Sequence, residues 1–318
     1  MTDGGRTAQV RHIHVGTSGW SYPTGKGTWN GIFYPKRRAG FDELRFYAEH
    51  FDTVEVNSTF YRVPAVDTTK RWAERTPRGF EFSIKLYQKF THPEMFLKAT
   101  GQDPSSLAAE DVDEFRRAID PIASAGKLGP LLAQFPASFK NEPNSRGYLE
   151  WLLASFKDYR MAVELRHRSF SDDPESTLEL LGAHGAALVQ IDEPKFRFSI
   201  RQDLLPNVHT FYYMRLHGRN AQEWWSHDHS EDRYNYLYPA SELRPFAEAA
   251  KEASRDVKKA YLYANNHFSA KSVATAATLK HQLGQPLPGE YPEEFVTRYP
   301  DLKGLVKILP VTPSDTLV

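Results

Sequence analysis

The sequence predicts an α/β fold: a single (β/α)8 TIM-like barrel with long strand-to-helix loops and a C-terminal extension. Three observations predict it. Eight short runs rich in β-branched and aromatic residues alternate with helical patterns along the 318 residues. Connections from helix into strand are short, while several from strand into helix are long. Polar and ionisable residues recur near the carboxyl ends of the runs, the face where such barrels carry their sites.

The runs are "IHVGTSGW" (13–20), "TVEVNSTFY" (53–61), "EFSIKLYQ" (81–88), "LGPLLAQFP" (128–136), "RMAVELRH" (160–167), "AALVQID" (186–192), "TFYYMRLHG" (210–218) and "KKAYLYANNH" (258–267). Helical patterns lie between them. In "FDELRFYAEHF", Asp42 stands at a capping position, and Leu44, Tyr47, Ala48 and Phe51 share a face. "EDVDEFRRAIDPIASAG" places Val112, Phe115, Ile119 and Ile122 at helical spacing and closes on Gly126. "DTTKRWAERTP", "YLEWLLASFKDY", "PESTLELLGAHG", "SELRPFAEAAKEAS" and "SAKSVATAATLKHQLG" repeat the theme, and only 193–209 lacks a helical pattern.

Strands alternating with helices imply parallel pairing, because each crossover returns the chain to the same edge. The eightfold count favours a closed barrel over a doubly wound open sheet. The latter would want a glycine-rich phosphate fingerprint after the first strand, and "GTSGW" is not one. Loops of roughly 20 residues follow the first, third and seventh runs, against a usual length of about 2–6. Those loops gather at one face. The chain divides into a flexible N-terminal segment (1–11), the barrel domain (12–286) and an extension packed on it (287–318).

Composition narrows the function. Lysine plus arginine equals aspartate plus glutamate at 40 each, so bulk attraction to nucleic acid or membranes has no support and any positive site is local. The absence of cysteine excludes disulfides, thiolate zinc sites and thiol nucleophiles. No apolar run approaches the ~20 residues of a membrane span, so a cytoplasmic protein is expected.

"FYYMRLHGRN" carries Arg215, His217 and Arg219 at every second position, which aims all three at one face of a strand. The same alternation groups Glu55 with Asn57 and Thr59, Ser83 with Lys85, Glu164 with Arg166, Gln190 with Asp192, and Asn265 with His267. Gln134 stands near the end of the fourth run, and Ser18 and Trp20 close the first. Barrel interiors are usually filled with valine, isoleucine and leucine. Polar groups there need partners or solvent, so the set is either a self-satisfied ring of ion pairs or the wall of a cavity. Its place beside the long loops favours the cavity.

The runs "VGTSGWSYP", "WNGIFYP", "FDTVEVNSTFYRVP", "ERTPRGFEFSIK", "LAQFPASF", "VELRHRSF", "RLHGR" and "YANNHFSAKSVATAATL" resemble, in order and over nearly the whole chain, the motifs of the YecE-like family, domain of unknown function 72. The resemblance implies a TIM barrel and no settled activity. The "SSLAAEDVDEFRR" approach and the insert "EWWSHDHSEDRYNY" depart from it.

Lys85, Arg166 and Arg215, with Arg62 and Arg219 near the rim, point to a small anionic ligand, because a guanidinium fork matches carboxylate or phosphate. The expected reaction is acid–base chemistry on a phosphorylated or carboxylated, sugar-like substrate. The catalytic set is Glu55, Lys85, Glu164, Asp192 and His217: Glu55 or Glu164 as base, His217 as acid or electrophile. Arg166 and Arg215 form the anion clamp. Ser18, Trp20, Asn57, Thr59, Tyr61, Arg62, Gln134, Asn265 and His267 complete the binding surface. Trp20, Trp29, Tyr61, Trp224 and Trp225 either stack on the ligand or pack the lid. No metal or other cofactor is expected: Glu164, Asp192 and His217 are a thin ligand set beside three cations, and "HDH" (227–229) reads as a solvated loop tip. Alternatives are a protein binding or cleaving nucleic-acid phosphodiesters, and a non-catalytic ligand-binding barrel.

Overall fold

Seven of the β-rich runs each become one strand and the sixth becomes two, and every strand is shorter than its run. The computed structural model describes residues 13–36, 40–103, 109–201, 206–224 and 232–310. The strands are β1 (Ile13–Thr17), β2 (Thr53–Val56), β3 (Glu81–Lys85), β4 (Leu128–Gln134), β5 (Met161–Glu164), β6 (Ala187–Leu188), β7 (Gln190–Asp192), β8 (Phe211–Leu216) and β9 (Lys259–Ala264). They form two parallel sheets, ordered β1-β9-β8-β7 and β2-β3-β4-β5-β6, and beyond them Glu290–Tyr291 pairs in parallel with Lys307–Ile308.

Hydrogen bonding therefore does not run as one closed ladder, and the sheets meet at two seams. The sixth run is divided at Val189: β6 pairs with β5 and β7 with β8. At the other seam, Ser18 forms a single parallel bridge with Glu55, and the Gly19 amide donates to the Glu55 carbonyl at 2.7 Å. Between the sheets, side chains from both meet. The Tyr263 hydroxyl on β9 lies 2.7 Å from Thr53 Oγ1 on β2 and 2.9 Å from Ser83 Oγ on β3.

The second run was expected to extend to Tyr61, and it does not. After Val56 the chain turns into the short helix Ser58–Tyr61 with Asn57 at its cap in the helical region. Asn, Ser and Thr in succession favour local side-chain bonds over ladder bonds; Thr59 Oγ1 reaches the carbonyls of Val56 and Lys85.

The helices follow the apolar spacing. Asp42 caps Glu43–His50 by accepting from the Arg45 amide at 3.0 Å. Ala109–Ser124 buries Val112, Phe115, Ile119 and Ile122. Gly126 and Gly185 take positive φ, 68° and 61°, just before the chain enters β4 and β6, a conformation glycine reaches without Cβ strain. The long connection after β1 is anchored by Trp29, Phe33 and Tyr34, all buried. Tyr291 and Phe295, beyond the last strand, pack on Phe33. No helix among the described residues is long and apolar enough to cross a membrane.

The β1–β2 seam yields a stability prediction. A Cβ at Gly16 would collide with the backbone carbonyl of Thr53, which cannot rotate away. Gly16→Ala should lower stability by at least ~2 kcal/mol in urea unfolding. A loss below ~0.5 kcal/mol would mean that the two strands can part without cost.

Candidate functional site

A cavity of about 580 Å3 opens at the carboxyl ends of the strands. Lys85 from β3, Gln134 from β4, Arg215 from β8, and Arg166, Glu193 and Asn265 just beyond β5, β7 and β9 form its polar floor. Its walls come from the following loops, with Trp20, Tyr22, Phe60, Tyr61, Trp224 and Tyr234 supplying aromatic surface. Every lining residue lies at or beyond a strand's carboxyl end, so the long loops did mark the face on which the chain builds its cavity.

Strand register explains why these side chains meet. On β8, Tyr213 and Arg215 share the face toward the opposite sheet, and His217 takes the next position on it. Tyr213 donates to Glu55 Oε2 at 2.7 Å. Arg215 donates through Nη2 to Glu55 Oε1 at 2.7 Å and through Nη1 to Glu164 Oε2 at 2.5 Å. One guanidinium thus ties β8 to β2 and β5. Ser18 Oγ adds a bond to Glu55 Oε1 at 2.6 Å. Arg166 Nε donates to Glu164 Oε1 at 2.8 Å, and its Nη1 lies 3.4 Å from Glu193 Oε2. Gln134 Oε1 accepts from both Lys85 Nζ (2.9 Å) and Arg215 Nη1 (3.1 Å).

This arrangement sets the charges. Burial alone would raise the Glu164 carboxyl, but Arg215 and then Arg166 hold it well below 4.5. Glu193 moves the other way: burial raises its carboxyl, and the nearby Glu164 adds to the rise although Arg166 opposes it. Lys85 is partly open to the cavity but far from bulk water. Burial, reinforced by Arg215, lowers its ammonium to about 7. His217 falls to about 4, chiefly by burial. Asn265 Nδ2 lies 2.8 Å from its Nδ1, while Nε2 faces Glu164 Oε1 at 3.5 Å, Arg166 Nη2 at 3.4 Å and Arg215 Nη1 at 3.5 Å.

Several placements differ from expectation. Glu55 and Glu164 are fully buried and hold Arg215 between them, so neither is a free base. His217 is sealed beneath the floor, where it meets Asn265 and Glu164, and does not line the cavity. Asp192 points out of the cavity. Register pairs Ile191 with Arg215 and Asp192 with Leu216, so Asp192 shares the outward face, where it binds Arg219 (2.8 Å) and Tyr238 (2.7 Å). Arg219 leaves the cavity because the strand ends at Leu216 and Gly218 turns the chain at φ +91°. Arg62 is exposed and outside the cavity wall, as Thr59 is beneath it. Trp29 packs the lid; it is buried and its Nε1 donates to the His267 carbonyl at 2.7 Å. Trp225 and the 227–229 tract lie outside the described residues.

Trp20, Asn57, Tyr61, Lys85, Gln134, Arg166, Arg215, Asn265 and His267 do line the cavity, and Ser18 supports its floor. The sequence reading missed Glu193, the next inward position after Ile191, and the loop residues His92, Phe196 and Phe198. Counting alternation from the neighbouring strand's Arg215 would have found Glu193. Among the described residues no group of three or more His, Cys, Asp or Glu is placed to hold a metal ion.

A family model described as "Protein of unknown function DUF72" matches residues 14–294. The chain belongs to the DUF72 family. The UPF0759 protein YunF of Bacillus subtilis is 29% identical over 262 residues, covering 80% of this chain and 89% of YunF. YecE of Escherichia coli K12 is 29% identical over 170 residues, covering 52% of this chain and 53% of YecE. A solved DUF72 protein from Thermotoga maritima is 35% identical with a TM-score of 0.73, covering 86% of this chain and 100% of that one. Another, from Enterococcus faecalis, has a TM-score of 0.75 at 23% identity, covering 88% and 100%. Family membership thus fixes the α/β fold and the motif set, and leaves the chemistry of this DUF72 member to be argued from its cavity.

Arg215 is the group whose removal should be felt most. Arg215→Met leaves two buried carboxylates without their shared cation and should cost ~3–5 kcal/mol. Glu164 is held well below 4.5 in the folded state, so its pairing stabilises the protein above pH 4.5 and that contribution is lost in acid. The gap between wild type and variant should therefore be widest above that pH and shrink below it. Denaturant unfolding across pH measures this; a gap independent of pH would remove the ion-pair explanation.

Proposed function

We propose that this DUF72 protein is an enzyme that acts by proton transfer on a small molecule carrying a carboxylate or phosphate, bound in the cavity at the strands' carboxyl ends. We also propose that its two sheets are the arcs of one (β/α)8 barrel. The contacts of Arg215 and Tyr263 across the two sheets support the second reading. So does the Ser18–Glu55 bridge between the end strands.

One observation carries the functional reading. Among the described residues no carboxylate pairs with Lys85; its ammonium meets only the neutral Gln134 and lies 4.0 Å from the centre of the Phe60 ring. Such a cation beside Arg166 and Arg215 attracts an anion. Arg166, with 17% of its side chain exposed, can reach that anion, whereas Arg215 at 1% is committed to its glutamates. Unpartnered polar atoms support a ligand as well: Asn57 Oδ1 and His267 Nδ1 are buried on cavity residues without a protein hydrogen bond. Buried polar groups are rarely left so. The aromatic walls suit a sugar ring or another flat face. Lys85 and Glu193, whose proton affinities have moved toward each other, are the groups placed to exchange protons with the bound molecule. No cofactor is needed for this reading.

Binding can be tested by titrating phosphate, sulfate and small sugar phosphates or carboxylates calorimetrically. Arg166→Leu should weaken the best ligand about 10- to 100-fold, the worth of a charge-assisted hydrogen bond. Affinity should also fall as pH rises through about 7, because Lys85 then loses its charge. Binding indifferent to pH and to Lys85→Met would place the anion elsewhere.

A further inference from the structure

We infer that Lys85 is an imine-forming amine and that the cavity takes small carbonyl compounds bearing a carboxylate or phosphate. The inference rests on the anion-site reading above and adds the substrate class.

The geometry singles Lys85 out among the lysines. Lys127 Nζ is surrounded by the Ala73 carbonyl (2.6 Å), the Thr76 carbonyl (2.6 Å) and Thr76 Oγ1 (3.0 Å). Lys89 is paired with Asp111 at 2.8 Å, and Lys259 with Glu81. Lys85 instead stands at the last residue of β3, opens into the cavity, and has a single neutral acceptor, Gln134 Oε1. Its Nζ lies 4.0 Å from the centre of the Phe60 ring, and among the charges around it Arg215 acts most strongly, ahead of Glu164, Arg166 and Glu55. A carboxylate partner would hold the amine protonated and useless as a nucleophile; here none does. Burial and Arg215 together bring its ammonium to about 7, so a large fraction is the free amine near neutrality.

The step balances within the cavity. The neutral amine nitrogen attacks the carbonyl carbon, forming the C–N bond while the carbonyl π pair moves to oxygen. That oxygen takes a proton and the nitrogen gives one up, leaving a carbinolamine. A second protonation of the hydroxyl lets it leave as water, and the nitrogen lone pair forms the C=N bond of a cationic iminium. The net reaction consumes one proton. Glu193 is the only carboxyl on the described cavity wall, and burial favours its protonated form, so it can supply that proton. The substrate's own carboxylate or phosphate, held by Arg166, offsets the iminium charge beside the arginines. The iminium then acidifies the adjacent carbon, which is where the proton-transfer chemistry proposed above would act.

The test is reductive trapping on the intact protein. Pyruvate and, separately, dihydroxyacetone phosphate are incubated with the protein and sodium cyanoborohydride, and the adduct is located by intact mass and peptide mapping. The expected result is one reduced adduct at Lys85 with at least one of them, forming faster as pH rises through about 7. It should be absent in Lys85→Arg and slowed about 10-fold in Arg166→Leu. The two probes separate carboxylate from phosphate recognition. In parallel, lactate and inorganic phosphate, which have no carbonyl to attack, are titrated as plain anions. If they bind through Arg166 while Lys85 stays unlabelled, or only surface lysines are labelled, the imine is overturned and the anion site stands. If neither anions bind nor adducts form, both readings fall. Mapping on the wild-type chain decides the matter even should a variant fail to fold.

Discussion

A single buried cation shared by two carboxylates is the constraint on which the rest of this site depends. Arg215 is 1% exposed and lies between Glu55 and Glu164, both fully buried. Removing three charges from water costs several kcal/mol per ion, and only close geometry with further hydrogen bonds offsets it. Those bonds are present. Ser18 and Tyr213 complete Glu55, and Arg166 completes Glu164. Because the carboxylates stand on β2 and β5 and the arginine on β8, the network also fixes how the two sheets face each other. One arginine against two glutamates leaves a negative charge, which Arg166 neutralises. With the acids so used, Lys85 has no carboxylate left to pair with.

The opposite ends of the strands show what a closed account looks like. There Glu81 is held by Lys259 and by Tyr261 at 2.6 Å, while Arg160 bonds the Tyr261 hydroxyl and the Leu128 carbonyl, both at 2.9 Å. Each of these charges has a partner, and such a cluster serves stability. At the carboxyl ends Arg215 Nε, Asn57 Oδ1 and His267 Nδ1 are buried without a protein partner. Polarity is common to both ends of the strands; incompleteness distinguishes the end with the cavity.

Much of this was legible in the sequence, and the rest was hidden for identifiable reasons. Strand and helix positions followed hydrophobic period, since Val112, Phe115, Ile119 and Ile122 can only be buried together on a helix. Loop length located the face that carries the cavity. Local turn chemistry was underweighted at Asn57, where three successive side chains able to bond the backbone ended β2 early. The phase of alternation failed at Asp192, because the run breaks at Val189 and the three-residue strand left cannot state which face is inward; only its register against Arg215 does. The pairing of Arg215 with both Glu55 and Glu164 was out of reach, since contacts across the structure depend on the stagger of strands 160 and 51 residues away. Lys85 was recognised as a site residue, but its lack of a carboxylate follows from those same contacts.

The floor and the walls of the cavity obey different rules. Floor residues are held by strand ladders and mutual bonds, and the segment after β9 adds strain to that rigidity. Ser269 and Ala270 sit at φ 52° and 63°, a region costly for residues with a Cβ. They are kept there by the Gly27 carbonyl, which accepts from the Ser269 amide at 3.0 Å, and by the Tyr299 hydroxyl donating to the Ser269 carbonyl. This clasp joins the long β1 loop and the residues near 299 to the segment that presents Asn265 and His267. The walls differ in kind: Tyr61 is 67% exposed at the rim, and Tyr234 ends the short 3-10 turn Asp232–Tyr234 and packs on the ring of His267. Reactive groups held on strand ends can keep one geometry while aromatic loops vary around them. On the reading proposed above, the choice of substrate belongs to the rim, and the reaction to the charge that Arg215 leaves over.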